Sequence, residues 1–118
     1  MGRFIVGDVV VIPFPFSDLS GNKRRPALVV AISSHSDVIL AQITSGSFGD
    51  AMAIELSSTD FSAGGLSHTS NIRPSKLFTA DSHTIAYKAG SLNVQKTKTV
   101  AGIISNLFTR DIPHTSPQ

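Results

Sequence analysis

The feature that most constrains the fold is a succession of short apolar runs, each closed by turn-forming residues. Val, Ile, Leu and Phe fill the runs, and β-branched and aromatic residues favour strands. No helical segment alternates with them, as a parallel sheet would require. The pattern predicts strands at residues 9–14, 26–32, 38–44 and 51–56, with further extended segments at 70–79 (broken at Pro74) and 84–88.

The connections between these runs are predicted from their turn-forming residues. Loops are expected at residues 17–23 and 45–50, and residues 89–92 are expected to turn the chain. The Ser-, Gly- and Thr-rich stretch 57–69 predicts a turn or one short helical piece. The run at 26–32 is apolar on both faces, so we expect it to lie in the centre of the sheet.

One amphipathic helix is predicted after the last extended segment. Asn93 is a good cap residue. Apolar side chains then recur at spacings of three and four residues, which places them on one helical face: Val100, Ile103, Ile104, Leu107 and Phe108. The expected fold class is therefore mainly β with a C-terminal helix (α+β), a small half-open barrel packed under that helix. Residues 1–110 are expected to form the domain and 111–118 a flexible tail.

Composition narrows the class of protein. The chain has 118 residues, which suits one domain, and a net charge of +2, which permits a polyanionic partner without requiring one. The absence of cysteine removes disulfides and cysteine nucleophiles. No run approaches the roughly 20 apolar residues of a membrane span, and no signal-peptide pattern is visible, so a cytoplasmic protein is expected. The four histidines show no metal-ligand spacing.

Three segments carry a resemblance to a known family. The first is GDVVVIPFPFSD at 7–18 followed by KRRPALVV at 23–30. The second is AQITSG at 41–46, and the third is IRPSKLFTAD at 72–81. In this order the segments resemble the PemK/MazF toxins, in which a Gly-Asp strand, a variable loop, an Arg-Pro-aliphatic strand and a strand ending in Thr recur. The resemblance spans most of the chain up to Asp81.

The resemblance implies an SH3-like half-open barrel of the PemK/MazF/CcdB-like type that acts as a homodimer. It implies the toxin of a type II toxin–antitoxin system that cuts single-stranded RNA without a metal or other cofactor. It also implies a cognate antitoxin whose disordered segment covers the active groove, and DNA binding by the complex. Arg25 and Thr44 match the family's catalytic pair, and Arg73 matches an arginine of the PemK-type members. Those members carry an aspartate acid or base where this chain has Ser75, so either Arg25 and Thr44 suffice, as in other branches of the family, or another base replaces the aspartate.

Metal-free cleavage of RNA uses the neighbouring 2′-hydroxyl as the nucleophile and leaves a cyclic phosphate and a 5′-hydroxyl. The enzyme must move two protons and stabilise a negatively charged phosphorane. The planar guanidinium of Arg25 suits the stabilising task, because it binds two phosphate oxygens, whereas a guanidinium holds its proton so firmly that proton transfer is harder to justify. Thr44 would donate one hydrogen bond to the same phosphate, although a strand-end threonine is also an ordinary structural residue.

The candidate RNA-binding residues surround this pair or lie in the third segment. Each also has a simpler interpretation, as surface charge, turn residue or core aromatic. They are Lys23, Arg24, Phe16, Ser45, Gly46, Phe48, Arg73, Ser75 and Lys76. His68 could serve as a spare general base. Asp81 is interpreted as a turn residue that could orient an arginine.

Three other functions remain open from the residues. The chain could be a non-enzymatic toxin of the same fold, similar to the gyrase-poisoning relatives, which would bind a protein and cut nothing. It could be a small barrel that binds RNA or a peptide without reaction. It could also be a toxin that lost its activity through Ser75 yet still dimerises and binds an antitoxin.

Overall fold

The computed structural model of the chain describes residues 3–13, 23–46 and 49–113. Its strands are β1 (Asp8–Pro13), β2 (Arg24–Ile32), β3 (Asp37–Thr44), β4 (Ile54–Leu56), β5 (Phe61–Gly64), β6 (Ser70–Asp81) and β7 (Tyr87–Leu92), and its helix is α1 (Val94–Thr109). Short 3₁₀ helices lie at Ser58–Asp60 and Ser82–Thr84. The predicted loop 17–23 and the aromatic residues Phe16 and Phe48 lie outside the described residues, Lys23 excepted.

Within the described ranges the strands form one sheet in the order β4-β6-β3-β2-β1-β7-β5, and every neighbouring pair is antiparallel. The predicted fold class is confirmed: a mostly β half-open barrel with one C-terminal helix. β2 occupies the middle of the order, as its two apolar faces predicted, because a central strand is covered on both sides.

Two apolar clusters lie on the two faces of the sheet. Val9, Leu28, Ile43 and Ile72 point to one face, together with Val100 and Ile104 of α1. The other face carries a second cluster, to which no helix of the described ranges contributes a buried residue: Val10, Ile12, Ala27, Val29, Val38 and Leu40. The alternation of Val9 with Val10 and of Leu28 with Val29 shows the period of two expected for strands.

The helix begins as predicted. The Asn93 side chain accepts a hydrogen bond from the backbone nitrogen of Lys96 at 2.7 Å and so caps the first turn. Val100 and Ile104 are buried against the sheet, whereas Phe108 is 63% exposed. Phe108 therefore does not belong to the buried face that its spacing predicted. No helix in the described part of the chain has the length and apolar character needed to cross a membrane.

The glycine-rich segments are where the sequence prediction was wrong. Residues 89–92, predicted as a turn, belong to β7, and Phe61–Gly64 forms β5 beside it. The glycines permit a close approach of these two strands. A Cβ on Gly90 would lie 2.6 Å from the backbone oxygen of Ala63, so this position accepts no side chain without a backbone shift.

β6 contains a wide bulge at Pro74. Ala41 of β3 pairs with Leu77, whereas the next residue, Gln42, pairs with Arg73. Pro74 and the two residues after it are therefore extra in β6, which suits a proline because it donates no ladder hydrogen bond. Beyond α1, residues 111–113 are exposed. The flexibility of the tail 111–118 stays a prediction, and residues 114–118 lie outside the described part.

Candidate active site

The start of β2 and the end of β3 lie side by side in the sheet. Ala27 is opposite Gln42, and the same register extended by two residues sets Arg25 opposite Thr44. On its other side Arg25 pairs with Ile12 of β1. Both members of the predicted pair line one open cleft of about 580 Å³. Residues 19 positions apart in the sequence are thus brought together by a single hairpin.

The cleft is positively charged. Lys23, Arg24 and Arg25 follow one another along its wall, and Ser45 lies beside Thr44. No Asp or Glu is among the described residues that line it. A groove of this kind attracts a polyanion, because the cations are close enough to act on the same stretch of backbone phosphates.

Arg25 and Thr44 are both half-buried, so part of each side chain faces the cleft and part packs against the protein. The Nε of Arg25 is shielded from solvent. The Thr44 hydroxyl donates a hydrogen bond to the backbone oxygen of Gly46. A hydroxyl has one proton to donate, so Thr44 must release Gly46 before it donates to a ligand. Gly46 acts here through its carbonyl.

Tyr87 and His68 are among the other residues that line the cleft; the sequence analysis named His68 as a spare general base but did not place Tyr87 in the site. Tyr87 is 55% exposed and lies across from Val11 in the β1–β7 register. His68 lies on the segment that leads into β6. Tyr87 was missed because the pairing of β7 with β1 brings it to the site. Its exposed ring offers a flat face on which a nucleobase can stack.

Arg73 does not line this cleft. Its Nε donates to Oδ2 of Asp50 at 2.9 Å, and the two side chains are 21% and 9% exposed. This bond is the main reason why the pKa of Asp50 is held below its ordinary value, and the backbone N–H of Met52 acts in the same direction. The ion pair ties β6 to the segment that follows Thr44. In this structure Arg73 therefore forms an ion pair with Asp50 outside the cleft.

Ser75 and Lys76 also lie outside the cleft. Both belong to the β6 bulge and are exposed. The structure thus brings together Arg25, Thr44, Lys23, Arg24 and Ser45 from the predicted set. Asp81 does not orient an arginine, contrary to the sequence interpretation. Its carboxylate accepts from the backbone N–H of His83, which lowers the pKa of Asp81, and lies 2.8 Å from the Nδ1 of the same residue.

A second cleft lies elsewhere on the surface. It measures about 690 Å³ and is lined by Arg3, His35 and His83 among others. It is larger than the first but contains none of the predicted site residues. Size alone therefore does not identify the functional site, and the charged cleft beside Arg25 is the better candidate because it combines cations with the Thr44 hydroxyl.

Solved structures share this fold. Toxin MazF-mt6 of Mycobacterium tuberculosis superposes with a TM-score of 0.66 at 19% identity, covering 86% of this chain and 96% of its own. A mycobacterial endoribonuclease in complex with its cognate antitoxin gives 0.68 at 14% identity, covering 96% and 100%. The MazE–MazF structure from Deinococcus radiodurans gives 0.66 at 19% identity, covering 88% and 94%.

Comparison by sequence with curated proteins found no match. The family model for the PemK-like, MazF-like toxin of type II toxin–antitoxin systems matches residues 5–108. That match covers most of the chain and includes all the strands and nearly all of α1. The three segments singled out from the sequence all fall within it. The chain therefore belongs to the PemK-like, MazF-like toxin family of type II toxin–antitoxin systems.

Proposed function

We propose that this chain is an endoribonuclease toxin that cuts single-stranded RNA through attack of the 2′-hydroxyl on the adjacent phosphodiester. The observation that carries the proposal is the shared cleft, which is lined by a half-buried guanidinium, a strand-end hydroxyl and two more cations. Family membership and the likeness to a mycobacterial endoribonuclease support the same activity.

In the proposed reaction Arg25 holds the scissile phosphate with its planar fork and stabilises the phosphorane. The Thr44 hydroxyl breaks its hydrogen bond to the Gly46 carbonyl and donates a hydrogen bond to a phosphate oxygen instead. A single donor of this type contributes about 3 kcal/mol to lowering the barrier. Lys23 and Arg24 bind the neighbouring phosphates, and Ser45 contacts the same strand. Cleavage leaves a 2′,3′-cyclic phosphate and a 5′-hydroxyl, and no metal takes part.

The remaining RNA contacts are proposed around this centre. Phe16 and Phe48 lie in segments that flank β1 and β3 and would stack on bases. Arg73, Ser75, Lys76 and the Gly46 amide are retained from the sequence as outer contacts. In the present geometry the Arg73 guanidinium donates to Asp50, and the Gly46 carbonyl, not its amide, accepts from Thr44. Their contribution is therefore expected to be smaller than that of Arg25.

The proposed partners follow from the family and its structural relatives. A cognate antitoxin, present in the complexes of the mycobacterial endoribonuclease and of MazF from D. radiodurans, would cover the cationic cleft with an acidic or extended segment. We further propose that the chain acts as a homodimer in the cytoplasm. Size-exclusion chromatography with light scattering would report the dimer.

The activity is tested by incubating the purified protein with RNA in the presence of a chelator. Wild-type protein should cleave, and Arg25→Ala should cleave at least about 100-fold more slowly while it keeps its fold by circular dichroism. Arg110→Ala is the matched control, because Arg110 is an exposed arginine at the end of α1. It should retain full activity.

The outcomes separate the other functions. Cleavage that Arg25→Ala leaves unchanged would refute the assigned site. Tight RNA binding without cleavage by the wild-type protein would favour the binding module. Absence of both, together with capture of the antitoxin, would favour a toxin that acts on a protein or has lost its activity.

A further inference from the structure

We propose that His68 is the general base of the reaction and removes the proton from the attacking 2′-hydroxyl. This inference rests on the proposed endoribonuclease activity and names a residue for a step that Arg25 and Thr44 leave open. The observation behind it is the position of His68 on the wall of the cleft that holds both of them.

The backbone around His68 is held from both sides. Leu66 packs against the core cluster beneath α1. Ser70 is buried, pairs with Leu56 of β4, and donates its hydroxyl to the backbone oxygen of His68 at 3.0 Å. The imidazole itself is exposed. An exposed ring on a backbone fixed in this way can reach a bound ligand without a rearrangement of the sheet.

The other polar side chains of the cleft are poorly suited to accept this proton. The charged groups are the three cations Lys23, Arg24 and Arg25, which have no free lone pair in their charged form. The hydroxyl groups of Tyr87 and Thr44 already carry a proton and act more readily as hydrogen-bond donors. Imidazole is the side chain whose ordinary titration lies near neutral pH, so it can accept a proton there and release it to water.

Ser75 gives an independent reason to look for a base elsewhere. It stands where related toxins carry an aspartate, and it lies on the exposed bulge of β6, outside the cleft. A serine cannot take over the proton transfer, since its hydroxyl does not titrate in the useful range. With no carboxylate at this position, His68 is the candidate proton acceptor among the described residues that line the cleft.

The proposed step balances as follows. An unprotonated ring nitrogen of His68 takes the 2′-hydroxyl proton as the bond from the 2′-oxygen to phosphorus forms. The bond from phosphorus to the 5′-oxygen breaks, and the leaving oxygen takes a proton from a water molecule. The resulting hydroxide is neutralised by the proton that His68 gives up, so the base returns to its starting form.

The test compares His68→Asn with His35→Asn. His35 is also exposed, but it lines the second cleft and no proposed step uses it. With a defined RNA, His68→Asn should lower kcat by about 100-fold or more and leave KM within about threefold. His35→Asn should behave as the wild-type protein. In the wild-type protein kcat should rise with pH through the range in which imidazole titrates, and His68→Asn should lose that rise.

Chemical rescue provides a second readout. Added imidazole should restore part of the activity of His68→Ala and should do nothing for Arg25→Ala. The inference is overturned if His68→Asn keeps more than a third of the wild-type kcat, or if its loss is matched by equally weakened binding of an uncleavable 2′-deoxy RNA. Failure of the wild-type protein to cleave any RNA would instead overturn the proposed function, so the two failures are distinguishable.

Discussion

The guanidinium of Arg73 lies 2.9 Å from the carboxylate of Asp50 and so joins β6 to the segment that follows the predicted catalytic strand. The two residues are 23 positions apart, and Asp50 also accepts the backbone N–H of Met52. Both side chains are largely shielded from water, which makes the bond stronger than a surface ion pair. This contact holds Asp50, which follows β3 in the sequence, beside β6.

We therefore expect Arg73 to act on the site mainly through Asp50. Asp50→Ala and Arg73→Ala should each lower the free energy of unfolding by about 1–3 kcal/mol, because each leaves a shielded partner unsatisfied. They should also reduce cleavage to a similar degree, and the double variant should be little worse than either single one. Denaturant titration and cleavage assays of all three variants measure this. Arg73→Ala at least tenfold less active than Asp50→Ala would instead indicate direct contact of Arg73 with RNA.

The same ion pair predicts a pH dependence of stability. The pKa of Asp50 in the folded protein is lowered from its ordinary value of 3.8, chiefly by the Arg73 hydrogen bond. The stabilisation is therefore fully present above that ordinary value and is lost as the pH falls through the lower folded-state pKa. The difference in unfolding free energy between wild-type protein and Asp50→Asn should be constant from about pH 5 to 7 and should shrink below about pH 4. A difference that stayed constant to pH 2 would contradict the assignment.

Thr44 offers a prediction on the hydroxyl itself. Thr44→Val keeps the shape of the side chain but removes the proton that is now donated to Gly46. It should slow cleavage by about 100-fold and leave the binding of 2′-deoxy RNA nearly unchanged. Thr44→Ser, which keeps the hydroxyl, is the control and should retain most of the activity. Equal loss in both variants would show that the methyl group, and not the hydroxyl, matters.

Because Ser75 lies on the exposed bulge, we expect its substitution to change the rate of RNA cleavage only slightly. Ser75→Asp adds a carboxylate on an exposed residue that does not line the described cleft, so cleavage should persist or increase. Ser75→Ala should likewise remain active. A folded but inactive Ser75→Asp variant would show that this position touches the substrate, which kinetics on a defined RNA would detect.

Glycine substitutions test the close approach of β5 and β7. Gly90→Ala places a Cβ 2.6 Å from the Ala63 oxygen and 2.8 Å from the Gly65 nitrogen, so it should destabilise the protein by about 2 kcal/mol or more. Gly102→Ala is the control, because a Cβ there meets no atom within 4 Å and α1 favours alanine. It should stabilise the protein by up to about 1 kcal/mol. Thermal unfolding of both variants would show whether their shifts have opposite signs.

The parts of the fold that were predictable are those set by local pattern. The apolar runs gave β1, β2 and β3 within a few residues, and Asn93 marked the start of α1. β5 and most of β7 were missed because Gly64 and Gly90 are typical of turns, whereas here they allow two backbones to meet. Phe108 fits the helical spacing of the apolar face, but its side chain is largely exposed.

The candidate site likewise contains residues that could be predicted from the sequence and residues that could not. Arg25 and Thr44 could be predicted, because they end two strands that form one hairpin. Tyr87 reaches the cleft through the pairing of β7 with β1, which no local pattern specifies, whereas His68 was named from the sequence as a spare general base. The role of Arg73 could not be predicted either, since its partner Asp50 lies 23 positions away, between β3 and β4.

The most direct test of the central claim is to map the ends of the fragments produced from one defined RNA and from the same RNA with a 2′-deoxy nucleotide before the cleaved bond. Attack by the 2′-hydroxyl at the Arg25–Thr44 cleft predicts a 2′,3′-cyclic phosphate and a 5′-hydroxyl from the first RNA and no cleavage at that bond in the second. Cleavage of the substituted RNA, or fragments with 5′-phosphate ends, would contradict the account.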